Sequence, residues 1–163
     1  MVDVFAESRY GGNELAVVRG ANRISAYEMQ KIAREFNFSE TTFISSEKAA
    51  DKGGRLFKAR IFTPMKELPF AGHPTLGTAY VIQKFVLGKR VPEVTLDLTI
   101  GKIPVTFFYD RGREADLVWM RQVEPTFGKT PLVANEIAEV LGLEHSDIDR
   151  SFQLSRCQLA SRS

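Results

Sequence analysis

The sequence has little cysteine, histidine and tryptophan, and it has no long hydrophobic run. Its 163 residues include one cysteine, Cys157, and two histidines. A single cysteine excludes a disulfide within the chain and any cluster of cysteine ligands around a metal. The longest apolar stretch, residues 79–87, is interrupted by Gln83 and Lys84, and it is far shorter than the ~20 residues that span a bilayer. We expect no metal site and no membrane partner.

The charge is nearly balanced, with 22 lysines and arginines against 20 aspartates and glutamates. A nucleic-acid partner is not expected, because it would need basic residues clustered on one face. Asp3, Glu7 and Arg9 lie close after Met1, so we expect no signal segment in which a charged stretch is followed by an apolar one. Apolar residues make up 44% and charged residues 26%, which is ordinary globular usage. These features predict a folded, cytoplasmic protein.

The hydrophobic pattern predicts more strands than helices. A helix begins after Ser25, because Ser25 and Glu28 have the spacing of a capping box. A second helix, residues 74–85, is apolar on nearly every side and is therefore expected to be enclosed, with Pro74 at its start and Gly88 at its end. Strands are expected at residues 2–5, 15–18, 40–45, 55–62, 94–98, 103–109 and 117–120, with surface turns at 47–54, 63–69 and 110–112.

These elements predict an α+β fold in which a curved, mixed or antiparallel sheet wraps around the enclosed helix. The connections are too short for a run of parallel crossovers. Towards the end of the chain, residues 135–141 form an amphipathic pattern that stops at Gly142. Residues 151–163 have four serines, two arginines and no period, so we expect a solvated tail there.

Several segments of the sequence resemble the PhzF family of phenazine-biosynthesis-like isomerases and epimerases. The most specific of them is residues 67–74, Glu-Leu-Pro-Phe-Ala-Gly-His-Pro, which follows a Phe-Ser-Glu-Thr segment at residues 38–41. The other segments are Asp3-Val-Phe5, Gly12-Asn13, Met29-Gln30, residues 33–40 and residues 60–64. The resemblance covers residues 2–149 and implies a diaminopimelate epimerase-like fold of two similar lobes, each a half-barrel around a central helix.

At about half the family's length, the chain is similar to a shortened member. The resemblance implies a first lobe at residues 1–124, the start of a second lobe at 125–150 and an atypical tail at 151–163. Family members place the active site between the lobes, where an aspartate of the second lobe faces the catalytic glutamate. No counterpart of that aspartate is expected in this sequence.

Family chemistry moves a proton at a carbon of a small carboxylate substrate, without a cofactor. The resemblance implies that Glu40 is the catalytic acid or base, although a lone glutamate at a strand end is more often solvated and inert. Gly72 and His73 precede an enclosed helix, where free backbone N–H groups bind a carboxylate, although His73 could merely cap the helix. Asn13 is expected to bind substrate, or else to be a left-handed turn residue, and Glu14 replaces a proline common in relatives.

The other chemistry-bearing residues are expected to be structural or solvated. They are Asp147, Asp149, His145 and Cys157, while Trp119 is expected in the core or at an interface. Two hypotheses remain open. The chain is an isomerase whose cleft is closed by a second copy in a homodimer, or it is a non-catalytic half-protein that keeps an anion pocket. Self-association is expected under both, since a bare apolar cleft face rarely stays exposed.

Overall fold

The computed structural model describes residues 1–8, 10–49, 55–109, 117–130, 133–149, 151 and 154–158. The chain forms two compact units, Met1–Gln122 and Val123–Ser163. The assignment of these units to family lobes, with a boundary after residue 124, stays a prediction.

The described residues of the first unit form one curled mixed sheet of eight strands. The strands are β1 (Val2–Val4), β2 (Asn13–Val18), β3 (Glu40–Ala49), β4 (Arg55–Phe62), β5 (Glu67–Leu68), β6 (Glu93–Leu98), β7 (Gly101–Phe108) and β8 (Leu117–Met120). Their order is β1-β2-β3-β4-β6-β7-β8, with β5 beside β4. The pairs β2/β3 and β4/β6 are parallel and the others antiparallel. The predicted α+β half-barrel is confirmed.

One helix, α1 (Ala26–Phe36), packs on the outer side of this sheet, and another, α2 (Gly72–Val81), packs on the inner side. Helix α2 contacts strands β1, β2, β3, β6, β7 and β8. A Cβ atom on Gly77 would lie 2.6 Å from Val4 Cγ2 and 2.7 Å from Leu15 Cδ2, so only glycine lets the helix approach these strands so closely. The predicted enclosure of this helix is confirmed.

The end of the enclosed helix differs from the sequence-based expectation. The α-helical hydrogen bonding stops at Val81, and Ile82–Leu87 continue as a π-helix that ends at Gly88, whose φ is +61°. Gly88 is therefore the predicted stop in the left-handed conformation. Phe85, expected to be enclosed, is 54% exposed, because the wider π turn rotates it away from the stripe that the α period predicts.

Helix α1 begins at the predicted capping box. Ser25 Oγ accepts from the N–H of Glu28, and Glu28 accepts in return from the N–H and hydroxyl of Ser25. Met29 and Ala33 of α1 are buried and belong to a core cluster. The cluster consists of Ala21, Met29, Ala33, Phe43 and Phe62. Because side chains alternate along a strand, Phe43 lies on the face of β3 opposite to Glu40.

Replacing Ser25 by alanine is expected to destabilise the first unit by about 1 kcal/mol, because the N-cap bond is lost. The bonds from Ser25 lower the pKa of Glu28 below its usual 4.5, so the Glu28 contribution is present above that value and lost as pH falls through the lowered pKa. Thermal unfolding of wild type and S25A at pH 7 and pH 3 checks this. If S25A lost as much stability relative to wild type at pH 3 as at pH 7, the proposed contribution of Glu28 would be contradicted.

Two expected turns contain strand. Strand β3 continues past residue 45 to Ala49, with a register shift against β4 between Ile44 and Ser46, so the expected turn was wrong for residues 47–49. The two-residue strand β5 lies in the expected turn at 63–69 and pairs with β4. Residues 50–54 and 110–112 lie outside the described residues.

The second unit contains β9 (Thr126–Lys129), α3 (Ala134–Leu141), a 3-10 turn at His145–Asp147 and β10 (Ser155–Gln158). Helix α3 ends at Gly142 with φ +68°, as predicted. Residues 154–157 are exposed, but Ser155–Gln158 pair antiparallel with β9, so the expected tail contains a strand that its composition did not indicate.

Of the helices that the structure describes, none combines the length and the apolar character that crossing a membrane requires.

Candidate active site

Glu40 lies on the inner, helix-facing side of the sheet. It is the first residue of β3, and its Cα is paired with that of Leu15 in the parallel register. Paired residues on neighbouring strands face the same side of a sheet, and Leu15 contacts α2 beside Gly77. The Glu40 side chain is only 18% exposed. A solvated strand-end glutamate, the alternative interpretation, does not fit this burial.

His73 is the second residue of α2, and its imidazole meets the Glu40 carboxylate. His73 Nε2 lies 3.4 Å from Glu40 Oε2, and the His73 side chain is 11% exposed. The two atoms are inaccessible to solvent, yet neither makes a well-aligned hydrogen bond with any group that the structure describes. Leaving a buried polar atom without a partner costs about 1–3 kcal/mol, so such a pair is typical of a site that binds a ligand or moves a proton.

The start of α2 offers backbone donors beside this pair. The N-cap residue Ala71 supplies no side-chain hydrogen bond, and the N–H groups of Gly72 and His73 have no partner within the helix. Pro74 has no N–H, and the first bond of the helix runs from Thr75 N to Ala71 O. The positive end of the helix dipole adds to the attraction for an anion. The local structure therefore suits a carboxylate.

Met120, at the end of β8, also lies at the start of α2. A Cβ atom on Gly72 would be 3.7 Å from Met120 Cε, which is ordinary van der Waals contact. The sequence pattern predicts only that Met120 lies in a strand. It does not indicate which end of which helix that strand reaches. No local signal could have identified it.

Asn13 is less clearly part of this arrangement. It is the first residue of β2, pairs with Val4 and is exposed. Its position two residues before Leu15 puts it on the helix-facing side of the sheet. The left-handed residues of the preceding turn are Tyr10 and Gly12, with φ +65° and +84°, so the alternative interpretation of Asn13 as a left-handed turn residue was wrong. Its role in substrate binding stays a prediction.

Three further motif residues fix the turn that follows β4. Gln30 Nε2 of α1 donates to the carbonyl oxygens of Thr63 and Pro64, at 2.8 and 3.1 Å. Arg60 donates two hydrogen bonds to Glu67, at 2.7 and 2.6 Å, and these bonds raise the pKa of Arg60. The sequence analysis gave these residues no role. They hold the segment that leads into the start of α2.

The remaining candidates lie elsewhere in structural or exposed positions. Asp147 accepts from the N–H of Glu144, and Asp149 accepts from the N–H and hydroxyl of Ser151, which lowers the pKa of Asp149. His145 and Cys157 are exposed. Within the described ranges, no group of three or more histidine, cysteine or acidic residues could hold a metal ion.

Trp119 is not a core residue, because it is 64% exposed on the side of β8 away from α2. Its neighbours Val118 and Met120 turn inward instead, as the alternation along a strand requires. The prediction of a core position was wrong, and a position at an interface stays a prediction.

The comparisons with known proteins agree with this fold. The family described as phenazine biosynthesis-like protein (PhzC-PhzF) matches residues 2–160. The chain is 50% identical over 148 residues to an uncharacterised isomerase of Pasteurella multocida, a match that covers 91% of this chain and 48% of the relative. It is 36% identical over 148 residues to the trans-2,3-dihydro-3-hydroxyanthranilate isomerase of Pseudomonas aeruginosa, covering 90% of this chain and 49% of that enzyme.

A solved structure gives the same result. The chain is similar to the crystal structure of a PhzF-family phenazine biosynthesis protein of Bacillus anthracis, with a TM-score of 0.74 and 29% identity, over 96% of this chain and 50% of that one. The half-barrel around an enclosed helix is thus a fold that this chain shares with a PhzF-family protein. The chain belongs to the phenazine biosynthesis-like (PhzF) family, and it spans about half the length of the relatives it matches.

Proposed function

We propose that this chain carries one half of a cofactor-independent isomerase site that moves a proton on a small carboxylate substrate. The observation that supports this is the buried pair formed by Glu40 Oε2 and His73 Nε2, 3.4 Å apart and without hydrogen bonds to the described residues. Names of two relatives point to the same class, since both are called isomerases.

In this proposal Glu40 is the general base. Its carboxylate takes a proton from a carbon of the substrate, and the resulting carboxylic acid returns a proton at another carbon, so that no proton is lost overall. The N–H groups of Gly72 and His73 hold the substrate carboxylate, and His73 Nε2 donates a hydrogen bond to the negative charge that develops. General acid–base catalysis of this kind contributes about 10²–10⁴-fold in rate, and a dry site strengthens each of these contacts.

A second copy of the chain is proposed to close the site. Proton transfer from carbon is favoured where water is excluded, and the chain provides only half the length of its relatives. A two-fold dimer is the commonest closed arrangement. Light scattering over a range of concentrations tests it. A stable dimer supports the proposal, whereas a strict monomer would show that no second copy closes the site.

The chain spans only about half the length of the relatives it matches. This favours a second candidate function, a carboxylate-binding lobe without turnover. Both candidates predict that an inert analogue such as anthranilate binds near the start of α2. Only the isomerase predicts that bound substrate exchanges protons with solvent. Titration with anthranilate followed by amide NMR therefore reports binding, and a separate exchange experiment reports catalysis.

The exchange experiment uses trans-2,3-dihydro-3-hydroxyanthranilate, the compound in the name of the P. aeruginosa relative, in D₂O. Proton NMR is expected to show deuterium entering the substrate with the wild-type chain, at least about tenfold faster than in buffer. His73→Gln is expected to slow this, while His145→Gln, an exposed histidine of the second unit, serves as the matched control. If the wild-type chain bound anthranilate but gave neither deuterium incorporation nor an isomerised product in the same spectra, the result would favour the non-catalytic lobe.

A further inference from the structure

Residues 67–71 lead directly into the start of α2, and they are held at several points. Strand β5, the first two residues of this segment, pairs with β4. The carbonyl oxygen of Pro69 accepts a hydrogen bond from Ile100 N at 3.3 Å, which ties the segment to the turn between β6 and β7. Ala71 O then accepts from the backbone N–H and the hydroxyl of Thr75, at 3.3 and 2.7 Å. The position of the backbone donors at the start of α2 therefore depends on how firmly this segment is held.

The segment is also held by a charged contact, the ion pair of Arg60 with Glu67. Arg60 Nε donates to Glu67 Oε1 at 2.7 Å, and Arg60 Nη2 donates to Glu67 Oε2 at 2.6 Å, so the guanidinium holds both carboxylate oxygens. Glu67 is paired with Phe62, which belongs to the core cluster that includes α1 residues, and residues paired on neighbouring strands face the same side of a sheet. The ion pair therefore lies on the outer side of the sheet, whereas Glu40 lies on the inner side.

This ion pair is expected to stabilise the first unit only modestly against unfolding. The side chains of Arg60 and Glu67 are 28% and 32% exposed, and solvent screens the attraction between charges that it reaches. The position of a binding group is far more sensitive, because a displacement of about 1 Å costs about 10²-fold in rate even when the altered residue is remote from the chemistry. A contact that fixes the segment before an anion site therefore affects binding more than it affects stability.

We propose that Arg60 and Glu67 are positioning residues that set the affinity of the start of α2 for a substrate carboxylate. The ion pair fixes the β5 end of the segment, and the backbone bond to the turn between β6 and β7 fixes its middle. The helix then begins at a defined place, with its first two N–H groups directed at the carboxylate. Neither residue touches the substrate or the reacting atoms. The inference deepens the proposed function and rests on it, because it requires a carboxylate to bind at Gly72 and His73.

Glu67→Gln tests the inference, because glutamine keeps the size of the side chain but loses the charge that holds the guanidinium. Anthranilate is titrated into the 163-residue chain, and the amide signals of Gly72 and His73 are followed by NMR. We expect the Kd of E67Q to be at least about tenfold higher than that of wild type, while the Tm falls by less than about 5 °C. In the free variant, hydrogen exchange of the Thr75 amide is expected to be at least about tenfold faster, because its acceptor is the carbonyl of Ala71 in the loosened segment.

Two controls separate position from stability and from charge. Gly88→Ala, beyond the other end of the enclosed helix, places alanine at φ +61°, so it lowers the Tm but is expected to leave the Kd for anthranilate unchanged. Glu93→Gln removes an exposed carboxylate of β6 and is expected to change neither quantity. Arg60→Lys keeps the charge but cannot donate two parallel hydrogen bonds, so its Kd is expected to rise as that of E67Q does. The double variant R60K/E67Q is expected to bind no more weakly than the weaker single variant, because both substitutions break the same contact.

Equal affinity of wild type and E67Q for anthranilate would overturn this inference and leave the proposed function standing. An equal loss of affinity in G88A would also overturn it, because the site would then respond to stability alone. An unchanged exchange rate of the Thr75 amide in E67Q would show that the ion pair does not hold the segment, with the same consequence. If wild type itself did not bind anthranilate, the proposed function would fail, and this inference with it.

Discussion

Replacing Glu40 by glutamine is expected to reduce deuterium incorporation into the substrate by about 10²–10⁴-fold. Glutamine keeps the size and the planar shape of the side chain but cannot accept a proton from carbon at neutral pH. The amide can still reach His73 Nε2, which is 3.4 Å from Glu40 Oε2 in wild type. Proton NMR in D₂O measures the exchange, and thermal unfolding confirms that the variant is folded.

The matched control is Glu14→Gln. Glu14 is exposed and lies one residue before Leu15 in β2, so its side chain faces the opposite side of the sheet from Glu40. We expect this variant to exchange at the wild-type rate. If E40Q also retained the wild-type rate, Glu40 would not be the base, although the anion site at the start of α2 would stand. If E40Q bound anthranilate as wild type does but exchanged no deuterium, binding and catalysis would be separated at this residue.

Local features of the fold could be predicted from the sequence because their causes are local. Ser25 and Glu28 are three residues apart, and the capping box that they form depends only on that spacing. The enclosure of α2 followed from composition, since a helix that is apolar all round has no face for water. Glycine at residues 88 and 142 marked two helix ends, where both adopt a left-handed conformation.

The site itself could not be derived from periodicity. Glu40 and His73 are 33 residues apart along the chain, with strands β3, β4 and β5 between them. Their contact depends on the parallel pairing of β2 with β3 and on the close approach of α2 at Gly77. Only the family resemblance connected them beforehand. The place of Met120 beside Gly72 depends on the curl of the whole sheet, which no stretch of sequence encodes alone.

The second unit was harder to predict for a different reason. Strand β10 is short and polar, and it shows none of the alternation that a half-buried strand requires. Strand β9 is exposed along its whole length, so its pairing with β10 depends on backbone hydrogen bonds rather than on a buried face. Such pairs carry almost no signal in composition, and the serine- and arginine-rich segment therefore indicated a solvated tail.

Replacing Gly12 by alanine is expected to destabilise the first unit by about 2–5 kcal/mol, the sum of two costs. Gly12 has φ +84°, which is unfavourable for alanine, and a Cβ atom there would lie 2.4 Å from Val4 O and 3.0 Å from Ala6 N. Both neighbours are backbone atoms of β1 or of the segment after it, so they cannot rotate away. Relief of the clash requires β1 to separate from β2.

Gly88→Ala is the matched control, because Gly88 has φ +61° and nothing within 4 Å of the added Cβ. It is expected to cost only about 1–2 kcal/mol, the conformational penalty alone. Thermal unfolding of the two variants separates the conformational penalty from the cost of the steric clash. We expect the Tm of G12A to fall by about 10 °C or more and that of G88A by clearly less. Equal losses would show that Val4 O does not crowd residue 12. The excess loss of G12A over G88A therefore measures the free-energy cost of crowding between an added Cβ at residue 12 and the backbone of Val4 and Ala6.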